Sequence, residues 1–168
     1  MQAFRKMLLA FICVSMAVIS VYAQPSHAVK VVARGGGKTI IQGGTGQAGG
    51  FVPVITTIAF HAELQGQSVS GDFECLALAP AVPTGNGSGQ FTMNAMYVTG
   101  QITSVEIEGD TATLKGTATI TGLGAGQNQP FTFVVRKGGP GSTSVLTVSG
   151  FTFNEILLEG SFEVVADE

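Results

Sequence analysis

A chain of 168 residues, 11% of them charged and with a formal net charge of −3, is sized for one domain with a substantial core. It lacks the basic surface that nucleic-acid binding requires. The absence of tryptophan and the presence of only two tyrosines leave little material for the aromatic platforms on which sugar-binding modules rely.

The first element in chain order is an export signal. Arg5 and Lys6 precede an uncharged apolar run from Met7 to Val21, and small residues follow in Val21-Tyr22-Ala23 and Ser26-His27-Ala28. That order of charge, apolar run and small residues is the pattern of a secretory signal peptide. The run is shorter than the ~20 residues that cross a hydrocarbon core. Cleavage is expected after Ala23, with a cut after Ala28 as the alternative, so residues 1–23 are the signal and 24–168 a single β domain. An uncleaved membrane anchor is the rival reading, weakened by the early helix break at Tyr22, Gln24 and Pro25. A lipoprotein cut before Cys13 would leave Val14 to Val21 as an apolar tail. Export places the protein outside the cytoplasm, in a periplasm or beyond the cell, with no transmembrane segment in the mature chain. Cleavage removes two of the eight basic residues and none of the eleven acids, which leaves a net charge of −5. It also removes Cys13, so Cys75 has no intramolecular partner. The expectation for Cys75 is a small buried apolar group rather than a reactive thiol.

The mature chain is rich in Gly, Thr, Val and Phe, and its apolar residues alternate with period two. Gly44-Thr-Gly46-Gln-Ala-Gly49 matches a dinucleotide-binding glycine pattern by letter. No helix start follows it, so a loop is expected there. Ile58, Phe60, Ala62 and Leu64 then share one face, with Ala59, His61 and Glu63 on the other. A tight turn near Gly66-Gln67 leads to a strand in which Phe73, Cys75 and Ala77 form the inner face. Ser104 to Glu108 and Thr111 to Lys115 read as a hairpin around Gly109-Asp110. Ala112, Leu114, Ala118 and Ile120 alternate with threonines. Phe131, Phe133 and Val135 mark another strand, Gly138-Gly139-Pro140-Gly141 a turn, and Phe162, Val164 and Ala166 the last strand. Loops are expected over 43–50, 80–89 and 122–130. Seven to nine antiparallel strands in a meander must hide their edges. The expected fold is therefore all-β, closed as a small barrel, with a two-layer β-sandwich as the alternative.

One polar constellation stands out. With a two-residue turn, His61 or Glu63 faces Asp72 across the first hairpin, and Glu74 lies on the same face. Opposed carboxylates repel unless a cation sits between them. His61 could serve, or a bound Ca²⁺, which takes oxygen ligands; a Zn²⁺ site is less favoured because His61 is the only histidine remote from the signal. A solvated hairpin face explains the same four residues without any ligand, and no cofactor is expected. Glu106 and Glu108 border a turn where charge is ordinary. No Gly-x-Ser-x-Gly, Ser-x-x-Lys or His-Glu-x-x-His occurs. Asn86-Gly87-Ser88 is a glycosylation acceptor only in a eukaryotic host.

The order of features resembles a loose group of uncharacterised bacterial secreted β-domains. It is carried by the glycine-rich opening strand Arg34-Gly-Gly-Gly37, then Phe60-His-Ala62, Gly71-Asp-Phe-Glu74, the threonine-rich hairpin at Gly109-Asp110, and the Gly138-Gly-Pro-Gly141 turn. The resemblance implies an exported β domain and carries no activity or site residue. The expected function is accordingly that of an exported, non-enzymatic, surface-associated or interaction module. The alternative is a small-molecule or lipid carrier whose cavity Phe60, Phe73, Met93 and Phe133 would line. An enzyme using the His61 hairpin ranks third. The partner is expected to be a protein or a small apolar ligand.

Overall fold

The computed structural model describes residues 30–43, 53–80 and 93–166. The signal, the Gly44–Gly49 pattern and Asn86-Gly87-Ser88 lie outside the described residues. Eight antiparallel strands follow one another: β1 (Lys30–Ile41), β2 (Ile55–Gln65), β3 (Ser68–Pro80), β4 (Met93–Glu108), β5 (Thr111–Gly122), β6 (Gly126–Arg136), β7 (Thr143–Val148) and β8 (Phe151–Ala166). Each pairs with the next, and β8 pairs back onto β1, so the sheet closes into a barrel rather than a sandwich. Closure pairs each strand on both sides along most of its length, so alternating strands hide their edges without covering helices. The described residues contain no helix long and apolar enough to cross a membrane.

Period two dictates what faces inward. Ile58, Phe60 and Ala62 are buried from β2, Phe73 and Cys75 from β3, Ala112, Leu114, Ala118 and Ile120 from β5, and Phe131, Phe133 and Val135 from β6. Phe162 and Val164 are buried from β8, whereas Ala166 is exposed at the strand's end. An eight-stranded barrel is just wide enough for side chains to fill it, and here phenylalanines do so. The Phe60 and Phe133 rings meet edge to face at 5.3 Å, Phe60 reaches Phe162 at 5.7 Å, and Phe73 contacts both Phe131 and Phe133 at 5.2 and 4.9 Å. Each such ring, fully buried, contributes about 1.5–3 kcal/mol. The inner wall leaves room for them through glycine: a Cβ on Gly100 would lie 2.7 Å from Phe131 Cε1.

The expected loop over 122–130 is corrected. Only the turn around Leu123-Gly124 is loop, and β6 already begins at Gly126. β7 pairs with β6 only from Phe131 to Val135, so residues 126–130 have no partner strand on that side. Pro130, which cannot donate to a ladder, is tolerated at such a local edge. A bulge at Lys38/Thr39 has a larger consequence, because it shifts β8 by one residue against β1. Gly160 beside it adopts φ 113°, a value that glycine reaches without strain.

Candidate functional site

The first hairpin has the two-residue turn and a register that pairs His61 with Asp72, Glu63 with Ser70 and Ala59 with Glu74. All four singled-out side chains stand on the outer wall, but they divide into two pairs. His61 Nε2 lies 3.3 Å from Glu63 Oε1. Asp72 and Glu74 instead border a shallow groove of about 320 Å³ shared with Thr99, Gln101, Thr117 and Asn128 of the neighbouring strands. Among the described residues, no three His, Cys, Asp or Glu side chains gather closely enough to hold a metal ion. Of the residues expected to line a carrier cavity, Phe60, Phe73 and Phe133 pack against one another in the interior, and Met93 is the first residue of β4.

A second feature of the outer wall emerges only from the register. Ile156 pairs with Ile40, Ile40 with Ile55, Ile55 with Leu78 and Leu78 with Ala95. The five form one unbroken apolar stripe across β8, β1, β2, β3 and β4. Ile156, Ile55 and Leu78 are 42%, 37% and 37% exposed. Scattered exposed apolar side chains are ordinary, whereas a contiguous row marks a contact surface. The next outer row is mixed: Lys38, Thr57, Leu76 and Tyr97 stand side by side. Two rows further on comes Arg34, His61, Asp72 and Gln101. The row between them holds Gly36, Ala59, Glu74 and Thr99, so the row farthest from the stripe is the most polar. Lys38 of the adjoining row and Arg34 two rows beyond it are neutralised locally, Lys38 Nζ lying 3.0 Å from Glu159 and Arg34 Nε 2.7 Å from Glu163.

The third feature lies directly behind the stripe, inside the barrel. Thr39, Thr56 and Glu155 are the chain neighbours of Ile40, Ile55 and Ile156, and strand alternation turns them inward. All three are buried, with Glu155 2% exposed. Thr39 and Thr56 both donate to Glu155 Oε2, Thr56 at 2.6 Å. Glu155 Oε1 has no hydrogen-bond partner, nor does the buried Oγ of Ser144, the residue opposite Glu155 in the β7–β8 ladder. Burial raises the Glu155 carboxyl above its ordinary value, and the two threonine hydroxyls offset only part of that rise. Cys75 borders the same void, and burial pushes its thiol far up as well, with the Glu155 charge adding to the effect. It is a free, buried cysteine, as its alternation with Glu74 implies.

Comparison of the chain with family models, with curated proteins and with solved structures returns no match. The functional reading therefore rests on the barrel's own surfaces.

Proposed function

We propose that this is an exported, non-enzymatic barrel that serves as a surface-associated interaction module and binds a protein partner through the Ile156–Ile40–Ile55–Leu78–Ala95 stripe. The observation that carries the reading is the stripe itself, continuous in register over five strands and followed by more polar rows. An apolar centre with a polar rim is the anatomy of a protein–protein interface. A lipid surface is the poorer partner. Anionic headgroups attract unpaired basic clusters, whereas the mature chain is acidic, and Lys38 beside the stripe and Arg34 farther along β1 are both held by carboxylates. The carrier alternative asks for a cavity of about 300 Å³ or more. Among the described residues, the void next to Glu155 measures about 10 Å³, and phenylalanine rings occupy the barrel centre.

Site-specific photo-crosslinking in the producing cells tests the proposal. A photoreactive residue at Ile55 or Leu78 is expected to give a discrete higher-mass protein adduct, and one at Thr113, on the outer wall of β5, is expected to give none. Equal labelling from both places, or adducts with lipid alone, would sink the protein-docking reading.

A further inference from the structure

We infer that the buried Glu155–Thr39–Thr56 triad is a proton-operated latch behind the docking stripe. Protonated, it holds β8 against β1 and β2 with Ile156, Ile40 and Ile55 in line; deprotonated, it lets these strands part and withdraws the surface. The inference rests on the reading of that stripe as the docking surface, and it names how the surface is regulated.

The geometry supplies both states. In the closed state one carboxyl oxygen collects the two threonine hydroxyls, tying β8 to β1 and β2 inside the barrel, while Lys38–Glu159 and Arg34–Glu163 join β1 to β8 on the outer wall. The other oxygen faces no donor, which a neutral carboxyl tolerates far better than a carboxylate. Once the proton leaves for solvent, the carboxylate needs more donors. Ser144 Oγ, buried, unpartnered and opposite in the ladder, is a further hydroxyl on the adjoining strand. Water is the alternative, but the adjoining void of about 10 Å³ is at the lower limit for a single molecule. Hydrating the charge therefore means separating strands.

The surroundings single out Glu155 as the group that responds. Cys75 of β3 is the other titratable side chain bordering the void, and its thiol ionises only in a far more alkaline range. β1 and β2 present Thr39 and Thr56, β4 presents Met96 and Val98, and β7 presents Ser144 and Leu146. None of these carries a charge. The ionisable residues of the outer wall point away from the interior on the opposite face of the same strands. Because Thr39, Thr56 and Glu155 each adjoin a stripe residue in the chain, displacement inside moves the stripe outside.

Amide hydrogen exchange of the mature chain, followed by NMR and corrected for intrinsic exchange rates, reads this without any partner. As pH rises through the Glu155 titration, protection at residues 39–41, 55–57 and 155–157 is expected to fall by roughly tenfold or more. The distant β5–β6 amides, such as those of Leu114 and Phe133, should keep theirs. In Glu155→Gln the local loss should vanish. In Ser144→Ala it should begin at higher pH, because the carboxylate has lost a hydroxyl able to donate to its unpartnered oxygen. Loss of equal size in wild type and Glu155→Gln, or loss spread evenly over the barrel, overturns the latch. A wrong docking reading would instead show in the crosslinking pattern and leave this exchange result untouched.

Discussion

A carboxyl group 2% exposed, with two hydroxyls on one oxygen and none on the other, is harder to ionise in the barrel than in the unfolded chain. The folded state consequently binds the Glu155 proton more tightly. Stability linked to this group is fully present below the ordinary carboxyl value of 4.5, and it is lost as pH rises from there through the raised folded value. The wild-type urea midpoint is thus expected to fall as pH rises above the ordinary carboxyl value and through the raised folded one, with Glu155→Gln flattening the decline. A midpoint that rises with pH in the wild type, or the same slope in both proteins, would contradict this. Sequence alternation alone misplaces the residue. Counting back by twos from the buried Phe162 puts Leu158 and Ile156 inside and Glu155 outside. The bulge at Lys38/Thr39 inverts that parity, so that Glu155 and Leu157 turn in while Ile156 and Leu158 are exposed. A bulge is a property of the β1–β8 pairing, more than a hundred residues apart in the chain, and local periodicity carries no trace of it.

Elements whose two faces differ in chemistry were legible from local pattern, and those that rely on a neighbour were not. The Phe131-Phe133-Val135 face and the threonine-backed Ala112-Leu114 face declare themselves, and Gly109-Asp110 sets its hairpin. The His61–Asp72 juxtaposition followed from turn length, although the same register sent Glu63 opposite Ser70. Gly126 to Pro130 misled because its residues are individually loop formers; the ladder to β5 makes them strand. β4 is harder still, since the reason for Gly100 lies across the barrel, in the Phe131 ring. That reason can be tested. Gly100→Ala adds a methyl where the ring packs and is expected to cost about 1–3 kcal/mol, seen as a lower denaturant midpoint at unchanged slope. Phe131→Leu makes room, so the double variant should lose less than the sum of the singles. Strict additivity would show that the methyl is resented by the backbone instead.

At the scale of the whole molecule, the same eight-stranded closure suits a solid module and a hollow carrier, and the inner side chains decide between them. Five phenylalanine rings linked edge to face and in tilted stacks fill this interior, with Phe133 fully buried between Phe60 and Phe73. If those rings are what separates the two designs, removing one should create a binding cavity where Phe133 now packs. Phe133→Ala is expected to cost about 3–5 kcal/mol, a large part of the ~5–15 kcal/mol typical of a domain, so the milder Phe133→Leu is the companion variant. Neighbouring rings are held by the closed sheet and can collapse only in part, so the vacated space should stay apolar and dry. Xenon, an apolar sphere with no hydrogen-bonding demands, then reports the space directly. Shifts of methyl resonances near residue 133 under xenon pressure should saturate in the alanine variant and stay small in the wild type. Saturable xenon binding at the wild-type centre would mean that the barrel is less full than its ring contacts imply, and would return the carrier reading to the front.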